Sequence, residues 1–331
     1  MAGGPGTGDS GPSAREAGEG SDSPKRGTVA VFGPNPMLSL TIERAGDGDE
    51  VHVHPAGQGV WVARMAAEMG ATPVLCGFAG GETGATIRPL LERLPGDLRI
   101  VETSGPSGSY VHDRRGGGRQ LIAMMQPATP TRHEVDELFS LACATALDSD
   151  VLVVCNPFPG GVLPLELYAD LVSDVGANAT PVLIDLSSPR LDSALRGGPA
   201  LAKLNDWELA EFVQGEVSSR AALASALRRL AEAGAAGAVV TRGGDSALAL
   251  RDGELLELFP PRFERGSREG CGDSMMGALA AGWAQGLGWE RSLILGMAAG
   301  ATNFLRHGLG TGSRTVVEDL AGRVRVERVS G

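Results

Sequence analysis

Glu269-Gly270-Cys271-Gly272-Asp273-Ser274 stands directly ahead of the Ala-rich run Met275–Gln285, and the character of the fold turns on this stretch. Small residues let a backbone turn tightly into a helix whose first N–H groups are left free. That helix end carries about half a unit of positive charge and receives anions. Asp273 falls in the first turn, where a carboxylate stays ionised and can accept a proton. An anion hole beside a base suits transfer of a phosphoryl group to a hydroxyl. The same residues also suit a plain helix N-cap, and the local pattern leaves both readings open.

Outward from that turn, short β-branched runs alternate with Ala/Leu-rich stretches from Thr28 onward. Strands are expected at Thr28–Phe32, Pro73–Phe78, Val151–Cys155, Pro181–Asp185 and Ala238–Thr241. Helices are expected at Gly59–Met69, Thr83–Leu94, Arg132–Leu147, Leu163–Val175 and Ser218–Ala233. The strands are continuous apolar runs, as where both faces are buried. The alternation predicts a mainly parallel sheet covered by helices on both faces. Two hairpins with alternating polarity interrupt it, Leu38–Glu43 with Glu50–His54 and Gly108–Asp113 with Arg119–Met124. Together they would form a small second sheet over the carboxyl ends of the main strands, where open α/β sheets bind ligands. A third hairpin (Ser246–Leu250, Leu255–Phe259) and helices near Asp273–Gln285 and Glu290–Arg306 fill the last third.

The 331 residues carry a formal charge of −11, which argues against a dedicated nucleic-acid binder. Hydrophobic residues at 42% and charged residues at 21% supply a sizeable core. Only Lys25 and Lys203 are lysines, so no G-x-x-x-x-G-K-[ST] phosphate loop can be written. Cys76, Cys143, Cys155 and Cys271 include no C-x-x-C and read as buried thiols of a reduced, cytoplasmic protein. Residues 1–26 are Gly, Ser, Pro and charge, expected as a disordered tail, and residues 316–331 are expected as a C-terminal tail. Leu293–Leu305 is too short to span a bilayer and reads as a buried helix, so no membrane partner is expected.

Gly270-Cys271-Gly272-Asp273-Ser274 resembles the G-A-G-D-S signature of the ribokinase-like (PfkB) carbohydrate kinases. Asn205-Asp206-Trp207-Glu208, preceded by Lys203, resembles their N-x-x-E. Ala56-Gly57-Gln58-Gly59-Val60-Trp61-Val62-Ala63-Arg64 resembles G-G-K-G-x-N-x-A, and Gly77 to Gly84 resembles G-x-x-G-x-D-x-x-G. Val240-Thr241-Arg242-Gly243-Gly244-Asp245 is similar to the V-T-x-G-x-x-G beside the nucleotide. The resemblance implies a three-layer α/β/α sandwich with a small β-sheet lid, a kinase domain over residues 27–315 and lid hairpins at about 38–54 and 108–125.

It also implies roles. Asp273 would deprotonate the acceptor hydroxyl, and the amides of Gly270, Cys271 and Gly272 would hold charge on the γ-phosphoryl group of ATP. Glu208 and Asn205 would organise the waters of Mg²⁺. Lys203, Thr241, Arg242 and Gly243 would line the phosphates or ribose, with Asn303 near the adenine. A homodimer would form through the lid.

The N-terminal half is most similar to the 1-phosphofructokinase and tagatose-6-phosphate kinase branch. Gly33-Pro34-Asn35-Pro36-Met37-Leu38-Ser39 resembles its N-P-A-L-D, with Ser39 in place of the substrate-binding Asp. Asn35, Ser39, Gly57, Gln58 and Trp61 are thus the candidate acceptor residues. Gln58 stands for a lysine and Trp61 for an asparagine, which predicts a pocket less charged and more aromatic. The expected activity is phosphorylation of a hydroxyl on a sugar or sugar-like molecule. A phosphofructokinase-type sugar-phosphate kinase and a non-catalytic sugar or nucleotide sensor are the alternatives.

Overall fold

The computed structural model describes residues 1, 3, 26–160, 163–306 and 310–329; the tail expected over 1–26 lies almost wholly outside them. Strand β1 (Thr28–Phe32) leads into the hairpin β2 (Met37–Ala45) and β3 (Gly48–Ala56), then helix α1 (Gln58–Glu68). Strand β4 (Thr72–Gly80), helix α2 (Gly81–Leu91) and strand β5 (Asp97–Thr103) precede a second hairpin, β6 (Ser109–Asp113) and β7 (Gln120–Met125). Helix α3 (Arg132–Leu147), β8 (Val151–Cys155), α4 (Glu166–Ala177), β9 (Val182–Asp185), α5 (Arg190–Arg196) and β10 (Leu201–Asn205) alternate through the middle. Helices α6 (Asp206–Val213) and α7 (Arg220–Glu232) then lead to β11 (Gly237–Thr241). The chain closes with β12 (Ala247–Arg251), β13 (Glu254–Phe259), α8 (Cys271–Ala284), α9 (Trp289–Phe304), α10 (Arg314–Ala321) and β14 (Arg325–Val329).

The main sheet has the order β14-β13-β12-β11-β10-β9-β8-β1-β4-β5. From β11 to β5 every pairing is parallel, and β12, β13 and β14 extend it antiparallel. Side chains alternate across a strand, and here the alternation builds two separate cores. Val29, Val31, Val151, Val153, Leu183 and Val239 pack towards α1, α8 and α9. Their neighbours Ala30, Phe32, Leu152, Val154, Ile184 and Val240 pack towards α3, α4, α5 and α7. This is the three-layer α/β/α sandwich, with both faces of the central strands out of water.

The two early hairpins form one sheet of order β3-β2-β6-β7, joined by a parallel β2–β6 pairing. Only one side of it is covered well, so Val51, Val53, Ile122 and Met125 on the edge strands remain exposed.

Residues 316–331 are not a tail, as far as residue 329. Helix α10 buries Val317 and Leu320, and β14 pairs with β13 from Leu255↔Val329 to Phe259↔Arg325. The Arg325 guanidinium lies 3.9 Å from the centre of the Phe259 ring. Val324, Val326 and Val329 are separated by Arg and Glu, the composition of a half-solvated edge strand. That charge is what made the segment look like a solvated end.

The site depends on how closely α8 lies against α1 and α9. A Cβ on Gly277 would meet the Val62 carbonyl at 2.5 Å and Met65 Cβ at 2.9 Å, and one on Gly296 the Met275 carbonyl at 3.0 Å. Gly277→Val should therefore force α8 off α1 and destabilise the protein by about 1–3 kcal/mol. Urea unfolding measures this, and a variant as stable as the native chain would show that the helices have room to separate.

Candidate active site

The carboxyl ends of β9, β10 and β11 and the N-termini of α1, α6 and α8 enclose a cleft of about 680 Å³. One end is charged, with Gln58, Asp185, Lys203, Asn205, Glu208, Gly272 and Asp273 on its walls. The other is apolar, walled by Pro260, Phe263, Met297, Ala301 and Phe304. Thr241, Arg242, Gly243 and Arg268 lie between.

At the charged end the chain enters α8 through Gly270, whose φ of 74° is left-handed, a conformation glycine adopts without penalty. Gly272 faces Lys203 so closely that a Cβ there would sit 3.2 Å from the ammonium nitrogen. The Cys271 N–H, expected to face an anion, turns back to the Arg268 carbonyl at 3.3 Å. Asn303, expected near a nucleotide base, is fully buried on α9 and is absent from the cleft wall. Its Nδ2 donates to the Glu269 carbonyl at 2.7 Å, bracing the turn from beneath. Its helix neighbours Gly300, Ala301 and Phe304 face the cleft instead.

Lys203 Nζ pairs with Asp185 Oδ2 at 2.6 Å, both side chains nearly buried. Burial works against the ammonium, but Asp185, then Glu208 and Asp273, outweigh it and raise its pKa. The Asp273 carboxyl is pushed up to about 7, first by burial and then by Asp185, against the pull of Lys203 and a hydrogen bond from Gln58. Glu208 is raised by burial and by Asp185. Glu208 Oε2 accepts the Asn205 N–H, and Asn205 Oδ1 accepts the Glu208 N–H, each at 2.9 Å. This reciprocal cap explains the N-x-x-E spacing and starts α6 at the cleft's edge. Arg242 is held by Ser246 and the buried Glu257, so its side chain props the turn carrying Gly243 and Gly244.

Of the five candidate acceptor residues only Gln58 reaches the cleft. Asn35 lines a small separate recess with Pro34, Pro36 and Phe78. Ser39 is fully buried in the lid sheet, opposite His54 and Tyr110. Gly57 contributes backbone at the start of α1, with φ 116°. Trp61 corrects the expectation of an aromatic pocket: it is 4% exposed and belongs to the core. It lies on the inner side of α1, where the Gly310 backbone leaves no room for even a Cβ, which would meet Trp61 Cα at 2.7 Å.

The three arginines of the second lid hairpin, Arg114, Arg115 and Arg119, separate in the fold. Arg115 ties Asp113 and Asp49 at the hairpin tips, and Arg114 pairs with Glu43. Arg119 leaves solvent to pair with Glu269 at 2.6 Å, its guanidinium 5.8 Å from the centre of the Tyr110 ring. It joins the lid to the turn that precedes Asp273. Burial, then Arg119 and Arg64, lower the pKa of neighbouring His54 to about 4, leaving a neutral imidazole at pH 7. Sequence reading missed Asp185 and the Arg119–Glu269 pair. The one signal for Asp185 is a lone carboxylate ending an otherwise apolar parallel strand.

Hard oxygen donors from Asp185, Asn205 and Glu208 share one wall, and such donors suit Mg²⁺. No group of three or more His, Cys, Asp or Glu among the described residues is arranged to cage an ion. The donor set therefore fits a cation that keeps most of its waters and bridges to phosphate.

The chain belongs to the pfkB family of carbohydrate kinases, whose model matches residues 38–316. It is accordingly an ATP-dependent phosphotransferase with an alcohol group of a sugar-type molecule as acceptor. It is 25% identical over 287 residues to a 1-phosphofructokinase of Haemophilus influenzae, covering 84% of this chain and 88% of that protein. It is 29% identical over 259 residues to the ATP-dependent 6-phosphofructokinase isozyme 2 of Escherichia coli, covering 77% and 82%. Among solved structures, a possible 1-phosphofructokinase from Thermotoga maritima superposes with a TM-score of 0.80 at 16% identity, over 92% of this chain and all of that one. Ribokinase from Arabidopsis thaliana superposes at 0.71 with 16% identity, over 89% and 98%, and shows the same fold.

The ammonium of Lys203 balances the nearly buried carboxylate of Asp185. Lys203→Met should cost about 3–5 kcal/mol, as for a buried charge left without its partner. Adding Asp185→Asn should recover part of that loss in a denaturation cycle. Losses that simply add would show that the pair is not coupled.

Proposed function

We propose that the γ-phosphoryl group of ATP passes in this cleft to a hydroxyl of a sugar or sugar-like molecule, with Asp273 as base. The observation that supports this most is the Asp273 carboxyl, with its pKa near 7, at the charged end of a cleft whose far end is apolar. A general base is most effective when its pKa lies near the working pH. The acceptor oxygen attacks the γ-phosphorus in line, the bond to the β-phosphate oxygen breaks, and ADP leaves with that electron pair. The hydroxyl proton goes to Asp273.

Such transfer is mostly positioning and charge stabilisation. The turn Gly270–Gly272 at the start of α8 and the Lys203 ammonium face the transferred group. Thr241, Gly243 and Arg268 would flank the remaining phosphates and ribose, and Pro260, Phe263, Met297 and Phe304 the base. Mg²⁺, when bound, neutralises phosphate charge, and Asn205 and Glu208 with Asp185 would hold it through water.

Two observations favour an acceptor that already bears a phosphate. Arg119 brings a lid cation to Glu269, four residues before Asp273, and Glu269 is half exposed, so that an anion could displace it. The sequence relatives are named phosphofructokinases. A homodimer through the lid accords with the exposed Val51, Val53 and Ile122. A cytoplasmic location accords with the use of ATP.

An ATP-consumption screen over neutral sugars, cyclitols, nucleosides and sugar monophosphates tests the function. At least one acceptor should be phosphorylated, fastest among the sugar monophosphates. Its kcat/KM should fall on the acid side of about pH 7, because the protonated carboxyl cannot take a second proton. Asp273→Asn should lower kcat by about 10²–10⁴-fold and leave ATP affinity nearly unchanged. Full turnover by Asp273→Asn would remove the base. Tight sugar or nucleotide binding with no consumption of ATP would favour a sensor.

A further inference from the structure

We propose that Arg268 determines donor specificity by receiving the β-phosphate of the nucleotide. Its exposed guanidinium, which no carboxylate neutralises, is held flat over Gly243 and would separate a nucleoside di- or triphosphate from a monophosphate. The proposal rests on a nucleotide lying in this cleft, and it deepens that reading by assigning one phosphate to one side chain.

Four cations line the cleft: Lys203, Arg242, Arg262 and Arg268. Two are already engaged, Lys203 by Asp185 and Arg242 by Ser246 and Glu257. Among the described residues no carboxylate lies within ion-pair distance of Arg262 or Arg268, although Glu208 and Asp245 share the same wall. In a chain of net charge −11 acidic partners are plentiful: Arg119 takes Glu269, Arg220 takes Glu257 and Arg328 takes Glu254. A guanidinium left unpaired on a cleft wall is a standing receptor for an anion, and its planar fork of N–H groups matches phosphate.

Arg268 is also fixed in place. The Ser267 N–H donates to the Phe304 carbonyl at 2.9 Å, and the Arg268 carbonyl accepts the Cys271 N–H at 3.3 Å. Its backbone is therefore pinned to the end of α9 on one side and to the start of α8 on the other. A Cβ on Gly266 would meet the Phe304 carbonyl at 2.0 Å, so only glycine lets the loop lie that close. At the side chain, a Cβ built on Gly243 would lie 3.5 Å from both Cζ and Nη1 of Arg268 and 3.7 Å from its Nε. Such similar distances put Gly243 against the face of the guanidinium, and its N–H edges remain available. Phe304 walls the apolar end and Cys271 opens α8 at the charged end, so Arg268 stands between the places of the base and the γ-phosphate. The α- and β-phosphates span that interval. The β-phosphate is the one on the α8 side, where the Arg268 carbonyl is tied.

Calorimetric titration of the full chain with ADP, AMP and adenosine, without divalent cation, tests this. The native chain should bind ADP more tightly than AMP. Arg268→Gln should lower ADP affinity by about 10–100-fold and leave AMP and adenosine binding as they are. Arg268→Lys keeps the charge but not the fork and should recover part of the loss. Arg265→Gln removes the same charge from the same loop, away from the cleft wall, and should change nothing. If the glutamine variant fails to fold, the ADP-to-AMP affinity ratio of the lysine variant decides alone, and it should fall below the native ratio. Unchanged ADP affinity in Arg268→Gln, an equal loss in Arg265→Gln, or a parallel loss of adenosine, AMP and ADP would overturn the proposal. Unchanged ADP affinity in a variant that still consumes ATP would leave the kinase reading standing without this residue. No binding of any nucleotide by the native chain would remove both. A selective loss of ADP in a protein that phosphorylates nothing would keep Arg268 in its role and remove the transfer chemistry instead.

Discussion

One buried ammonium, Lys203 Nζ, is the counter-charge on which the charged end of the cleft depends. Asp185 bonds to it directly, and Glu208 and Asp273 lie within its field. Three carboxylates share this one cation at the wall of the cleft, and such crowding shifts their ionisation. The frustration is distributed unequally: the Lys203 pKa rises, the carboxyl of Asp185 keeps the closest contact, and Asp273 is left with the highest-energy charge. That residual instability is what would suit the Asp273 carboxyl to the base role proposed for it.

Backbone closeness makes this distribution possible. Gly272 lets α8 begin against the Lys203 ammonium, Gly277 seats the same helix on α1, and Gly296 and Gly300 admit α9 behind it. Asn303 then braces the turn through the Glu269 carbonyl, while Arg119 reaches the Glu269 side chain from the lid. The residue four positions before Asp273 is thus held from below by the core and from above by the lid. Closing or lifting the lid would therefore bear on the turn that leads into α8.

Much of this was legible in the sequence where the signal is local. Thr28–Phe32, Val151–Cys155 and Arg132–Leu147 coincide with β1, β8 and α3 because each run ends where polarity changes abruptly. Strand β10 was missed because Lys203 and Asn205, placed there for the site, break its apolar pattern. Strands β5 and β14 were missed because edge strands carry Asp, Arg and Glu. In the site, Gly270–Asp273 and Asn205–Glu208 are short spacings with their own helix-start chemistry, and both reach the cleft. Trp61, Ser39 and Asn303 were misplaced. Whether such a residue faces a cavity or the core is decided by partners far along the chain, such as Gly310 for Trp61 and Glu269 for Asn303. The pairing of Arg119 with Glu269 spans 150 positions, and no local pattern announces it.

If Asp273 is the base, a nucleotide's terminal phosphate lies at the start of α8, within its reach. A crystal structure with a non-hydrolysable ATP analogue and Mg²⁺ tests this most directly. The γ-phosphorus should sit over Gly272 and beside Lys203, the Asp273 carboxylate facing it across the space for one hydroxyl, and the base ring among Phe263, Met297 and Phe304. A triphosphate bound elsewhere, or one with its γ-phosphate turned away from α8, would contradict the account.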